Sequence, residues 1–149
     1  MPQALPDVVQ DLKGDTTNWP MKVRALVAKL QQRGLVTGNR RASVRHPFFF
    51  EATVRYTSAD LTHAQAKVYT RDRNETCIAF LADTQLAVGQ HVVLDFTHTR
   101  DTAILGQVTS RVIRCRQFHE GWFECVVQLG SPTGKPSSAW RALFGWFSR

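Results

Sequence analysis

The sequence predicts a mainly β protein: a small antiparallel barrel or sandwich of five or six short strands, with a helical N-terminal extension and a C-terminal helix. Three observations lead there. Before residue 40 the apolar residues recur at helical spacing; from Phe48 to Leu129 they form short aromatic and β-branched runs divided by turn residues; after Pro136 the helical spacing returns. The chain has 149 residues, 43% of them hydrophobic. That is enough apolar side chain for one core and too much for a disordered chain.

In the first third, Asp7 is positioned to cap a short helix through Leu12, with Gly14 just past its end. A stronger helix follows Trp19-Pro20, proline being acceptable in a first turn. Its residues Val23, Leu26, Val27 and Leu30 share one face, and Gly34 is the expected terminator. Lys22, Arg24, Lys29 and Arg33 occupy the other face, as on a helix packed against its own domain with a solvated rim. Val36-Thr37-Gly38-Asn39 reads as the hinge that follows.

The strands expected next are Phe48–Tyr56, Ala64–Thr70, Cys77–Leu81, His91–Phe96, Ala103–Cys115 and Trp122–Leu129. Turn signals separate them at Asn74-Glu75, Val88-Gly89-Gln90 and His119-Glu120-Gly121. Ala103–Cys115 is long for one strand, and a bend near Gly106 is expected. In the tail, Pro136-Ser137-Ser138 offers a helix start, and Trp140, Leu143, Phe144 and Phe147 repeat the helical spacing. That stripe suits the plugging of a barrel end or, alternatively, a partner-binding face.

The charge pattern narrows the function. The formal charge is +7, and residues 1–47 hold eight basic and three acidic side chains. No acid lies between Asp15 and Glu51, whereas Lys22, Arg24, Lys29, Arg33, Arg40, Arg41 and Arg45 all do. Such a segment seeks an anion. No nucleophile elbow, Walker loop or HExxH motif is present, and the five histidines lack metal-ligand spacing. The expectation is therefore a protein that is not an enzyme and carries no cofactor. Met1-Pro2-Gln3-Ala4 lacks the charged and apolar blocks of a signal peptide, and no apolar run is long enough to span a membrane. Cys77, Cys115 and Cys125 then read as reduced thiols of a cytoplasmic protein. Cys115 and Cys125 are placed to face each other across a hairpin, which leaves a redox pair open.

The sharpest motif is Arg40-Arg41-Ala42-Ser43-Val44-Arg45. Arg41 and Arg45 are four apart, an offset that returns to one face in helical or extended backbone, so both guanidiniums can meet one ligand. The planar fork of arginine binds a phosphate or a guanine O6/N7 edge with two hydrogen bonds. About thirty residues later comes Asn74-Glu75-Thr76-Cys77-Ile78-Ala79. An RRxxxR segment before the first strand of a small barrel, followed by such a polar turn, resembles the PilZ domain family. Its second motif has the form [D/N]xSxxG. The resemblance covers residues 40–131, about three-fifths of the chain.

This resemblance implies a six-stranded PilZ-like β-barrel that binds cyclic di-GMP. The expected division is residues 1–39 as helical extension and hinge and 40–149 as barrel with C-terminal helix. Arg41 and Arg45 match the paired arginines that clamp guanine edges and phosphates, and Arg40 an additional arginine adding stacking or charge. Asn74 matches the acid or amide position, and Thr76 keeps the hydroxyl of the family serine. Ala79 stands where the family has glycine; its Cβ either crowds the ligand or strains a turn that needs a positive φ. Arg114 and Arg116, on one strand face, are further candidates to flank the ligand. Arg71 and Arg73 read as solvent-facing strand residues that could add charge near a phosphate.

Function follows as a non-catalytic cyclic di-GMP receptor whose Gly38–Arg45 linker is pinned onto the barrel by the dianionic ligand, altering a surface read by a downstream protein partner. The alternative is a degenerate PilZ-type adaptor that binds no nucleotide and acts through protein contacts. A nucleic-acid polymer is not the expected partner, because the strand aromatics alternate as core residues do.

Overall fold

Where the period-two pattern runs, the chain forms strands. The computed structural model describes residues 13–37, 46–74 and 76–130. Helix α1 spans Met21–Thr37. The strands are β1 His46–Pro47, β2 Glu51–Thr57, β3 His63–Arg73, β4 Cys77–Ala82, β5 His91–Asp95, β6 Gln107–His119 and β7 Trp122–Leu129. The short helix expected to end at Leu12 and the C-terminal helix lie outside the described residues.

The strands close into a six-stranded antiparallel barrel in the order β3-β2-β5-β6-β7-β4, with β4 pairing back onto β3. The two residues of β1 extend the sheet on the first edge of β3. Strand β3 serves both edges. Its first part pairs with β2 and its last part with β4, so one long strand turns the barrel corner. The backbone between β1 and β2 leaves the ladder, and the fully buried Thr70 repairs the gap. Its hydroxyl donates to the Phe48 carbonyl at 2.6 Å and accepts from the Phe50 N–H at 2.8 Å. Both backbone groups belong to buried residues, where a hydrogen-bond partner is required.

The barrel interior is filled by alternate residues, among them Phe48, Val54, Val68, Ile78, Phe80, Leu94, Val108, Val112 and Val127. A second cluster lies on the outer wall. There Trp19, Val23, Leu26, Val27 and Leu30 pack on Tyr69 and Leu81, flanked by Phe49, Phe118 and Trp122. The apolar face read from the helical spacing is thus the face that docks on the barrel, and Lys22, Arg24 and Lys29 are exposed. Gly14 fixes the approach to this helix: it pairs with Phe49 at φ +64°, and a Cβ there would meet the Phe49 carbonyl oxygen at 2.1 Å.

Two expectations need correction. Helix α1 does not stop at Gly34 but continues through Val36 and Thr37, two residues expected in the hinge. One glycine weakens a helix by only about 1 kcal/mol. The region from Ala103 to Gly106 is not strand. Arg100–Leu105 is a 3-10 turn, Gly106 at φ 67° reverses the chain, and β6 starts only at Gln107. The bend expected near Gly106 is present, and inside β6 the register shifts twice more, at Val112–Arg114, where a bulge inserts Ile113, and at Gln117–His119.

Cys115 and Cys125 are paired across the β6–β7 hairpin with sulfurs 3.0 Å apart, both as free thiols. Burial, and then the neighbouring Cys115 sulfur, push the Cys125 thiol well above its usual range. Among the described residues no helix is long and apolar enough to cross a membrane. No group of His, Cys, Asp and Glu there could hold a metal ion.

Candidate functional site

The β3–β4 turn is built by Asn74. Its side-chain oxygen accepts hydrogen bonds from the backbone N–H groups of Thr76 at 2.9 Å and Cys77 at 2.8 Å. Its own N–H donates to the Cys77 carbonyl at 3.0 Å. This is why an Asn belongs here: a short side chain folds back onto the next two donors and shapes the turn. Thr76 is exposed, with its hydroxyl 3.5 Å from the Cys77 sulfur, and its carbonyl accepts from the Leu129 N–H at 2.7 Å.

Beyond the turn, four residues from four strands stand in one transverse row on the outer wall. Asp72 of β3 is opposite Ala79 of β4, Ala79 opposite Val126 of β7, and Val126 opposite Arg114 of β6. With Asn74, Cys77 and Ile113 this row lines a cleft of about 300 Å³. Ala79 lies in the floor, 1% exposed. Among the described residues Leu61 is the only non-glycine residue with a positive φ, so Ala79 has ordinary strand backbone. Of the two objections to an alanine here, the strained turn is therefore removed; what remains is the bulk of one methyl group in the cleft.

The neighbouring row, Tyr69–Leu81–Glu124–Arg116, borders the cleft on the side of α1. Tyr69 and Leu81 lie under the helix. Glu124, its side chain 5% exposed, joins two arginines: Arg114 Nη2 donates to Oε1 at 2.9 Å and Arg71 Nη1 to Oε2 at 3.3 Å. Arg71 Nε also donates to Asp72 at 3.0 Å. The result is a neutral chain of two carboxylates and two guanidiniums running from β3 to β6. Two residues along a strand are about 7 Å apart, so the footing of the helix and the cleft are adjacent.

The sequence-derived residues divide as follows. Asn74 and Ala79 meet in the cleft, with Arg114 across from them; Thr76 is on the turn and not in the lining. Arg40, Arg41 and Arg45 lie outside the described residues. Arg116 shares the outer face with Arg114 but sits one row away. The reading of Arg71 and Arg73 as solvent-facing is corrected. A bulge at Thr70/Asp72 shifts the phase of β3, turning Asp72 out to the cleft and Arg73 inward. Arg73 is 3% exposed with its guanidinium 5.8 Å from the centre of the Phe48 ring. Burial pulls its pKa down to about 10. Arg71, held by Asp72 and Glu124, is likewise mostly buried.

Asp72, Ile113, Glu124 and Val126 were not anticipated. For two of them a signal existed. Strict alternation in Trp122–Leu129 puts Glu124 and Val126 on the same outer face. Asp72 and Ile113 depend on bulges, which leave no mark in the pattern. A larger groove of about 430 Å³, lined by Arg55, His63, His91 and Thr109 among others, contains none of the motif residues.

No protein-family model and no curated protein matches the sequence. Among solved structures, the chain is similar to the Bacillus subtilis inhibitor of motility MotI/DgrA, at 11% identity and a TM-score of 0.45, over 73% of this chain and 50% of that one. It is similar to the PilZ domain of YcgR from Escherichia coli, a structure with c-di-GMP, at 15% identity and a TM-score of 0.41, over 70% and 86% of the two chains. The likeness to MrkH of K. pneumonia in its apo state is 12% identity with a TM-score of 0.43, over 73% and 49%. The chain thus spans about half the length of MotI/DgrA and of MrkH.

Proposed function

We propose that the protein is a non-catalytic, cytoplasmic receptor for the bacterial second messenger cyclic di-GMP. The observation that carries this reading is the cleft on which the second motif lies, beside the short strand that follows the first motif in sequence. Asn74 and Ala79 of the second motif line it. His46, covalently next to Arg45, is opposite Arg73 in the ladder, and Arg73 directly precedes Asn74. Consecutive Cα atoms are about 3.8 Å apart, and in this reading Arg45, one residue before His46, reaches the ligand from there. Arg41, four residues further back, has chain enough to reach the same ligand.

In this reading the arginines supply the cations for the two phosphates and donors for the guanines. Residues 38–45 join the end of α1 to β1, and α1 rests one row from the cleft. Drawing the arginines onto a dianion therefore changes the restraint on the helix, and the altered surface is what a protein partner reads.

Calorimetry with cyclic di-GMP tests the proposal. Micromolar or tighter binding is expected. Arg41→Ala and Arg45→Ala should each weaken it by about tenfold or more, since a charged hydrogen bond contributes about 1.5–3 kcal/mol. Absence of heat at high ligand concentration overturns the proposal.

Ala79→Gly isolates the remaining departure from the family motif. Removing the methyl from the cleft floor is expected to raise affinity about fivefold to tenfold. The backbone cost of glycine in a strand, about 0.5–1 kcal/mol, should lower the melting temperature slightly. No binding by either form would favour the adaptor alternative.

A further inference from the structure

The Arg114–Glu124 pair is incomplete. Arg114 gives Glu124 one hydrogen bond, from Nη2, while its Nε–H is buried with no hydrogen-bond partner among the described residues. A buried donor left unpaired is a cost that native structures rarely carry without a reason. The same side chain is 40% exposed and borders the cleft, and Glu124 keeps its second arginine, Arg71, when Arg114 leaves. Arg114 can therefore change partners without stranding a buried carboxylate.

A ligand that takes the Nε and Nη2 donors together would satisfy the orphaned atom. The row it enters is asymmetric: the Asp72 carboxylate at one end, the Arg114 guanidinium at the other, Ala79 and Val126 between them and Ile113 beside Arg114. A phosphate in that row would meet no surplus of positive charge, because Asp72 and Glu124 balance Arg71 and Arg114. A guanine fits its chemistry better. Its O6 and N7 accept from an arginine fork, its N1–H and N2–H2 donate to a carboxylate, and its flat faces suit apolar neighbours.

We propose that Arg114 is a guanine-reading residue, held in reserve by Glu124 and released to the O6/N7 edge of a base whose opposite edge meets Asp72. This rests on the cyclic di-GMP reading and adds to it the residue that selects the base. Adenine presents an N6–H2 donor where guanine presents O6, so the fork cannot engage it in the same way.

The test compares cyclic di-GMP with cyclic di-AMP, which has the same phosphates, on the full chain. Wild type, Arg114→Lys and Arg111→Gln are each titrated by calorimetry. Arg114→Lys keeps the charge and the Glu124 contact but loses the fork; Arg111→Gln removes a positive charge from the same strand outside the cleft. The expected result is a loss of about tenfold to a hundredfold in cyclic di-GMP affinity for Arg114→Lys, with cyclic di-AMP binding unchanged. Arg111→Gln should shift either by less than about threefold. In the wild type, the Arg114 Nε–H resonance should move on addition of cyclic di-GMP.

Equal weakening of both ligands would assign Arg114 to a phosphate and overturn the proposal. So would wild-type binding of cyclic di-GMP that Arg114→Lys leaves intact, with thermal melting confirming that the variant folds. If the wild type binds neither ligand, the receptor reading falls and this inference falls with it.

Discussion

Phe48→Ala is expected to destabilise the protein by about 3–5 kcal/mol, the usual cost of an aromatic-to-alanine change in a core that cannot collapse. Phe48 is fully buried, stacked edge-on against Phe50 at 4.8 Å and Phe96 at 6.0 Å between ring centroids. It also provides the ring face for the buried Arg73 guanidinium. The truncation therefore opens a cavity and removes the aromatic partner of a desolvated charge. Domains of this size have about 5–15 kcal/mol in total, so a fifth or more of the stability is at stake. Urea unfolding should show a lower midpoint with an unchanged slope. Phe48→Leu, which refills most of the volume, should recover the larger part. A midpoint for Phe48→Ala within experimental error of wild type would contradict the packing described.

The second large effect belongs to the helix. Trp19 is 7% exposed and packs on Tyr69 at 5.1 Å and Phe49 at 6.1 Å between centroids. Trp19→Ala is expected to remove about 3–5 kcal/mol as well, but from the docking of α1 and not from the barrel. No strand ladder runs through this contact, so the barrel retains its hydrogen bonds while the helix loses its footing. Hydrogen exchange should then show the amides of residues 24–32 losing protection while those of β4 and β7 keep theirs. Uniform loss across the barrel would mean that helix and barrel form one cooperative unit. Because the footing borders the cleft, this variant also separates ligand binding, which should survive, from any signal passed through the helix.

Periodicity made much of this readable. The spacing Val23, Leu26, Val27, Leu30 found both the helix and its buried face, because one stripe must be covered by something. Alternation in Trp122–Leu129 and the turn residues Asn74, Gly89 and Gly121 located the strands. The failures share a physical origin. A bulge inserts one residue and inverts every side chain after it. At Thr70/Asp72 that inversion sent Arg73 into the core and Asp72 to the cleft, against a count that assumed unbroken alternation. The outer-wall site had a different difficulty. Its row joins residues 72, 79, 126 and 114, whose proximity is a property of barrel closure and of no local stretch. Asn74 and Ala79 were found through a motif, and Arg114 through its sign; Glu124, which holds Arg114 in place, needed the fold.

That closure has a consequence for assembly. Strands β2, β3 and β4 follow one another and form one meander, and β5, β6 and β7 form another. Among the described residues two seams join them, β2 to β5 and β4 to β7. Within each meander, neighbours in sequence meet cheaply; across the seams the intervening chain must first surrender its freedom. Ala79 and Val126 are partners in the second seam. A molecule seated over them would hold one half of the chain to the other, as a clasp holds a bracelet. The strip of surface over Ala79 and Val126 is also one of the two places where the polypeptide becomes a closed ring.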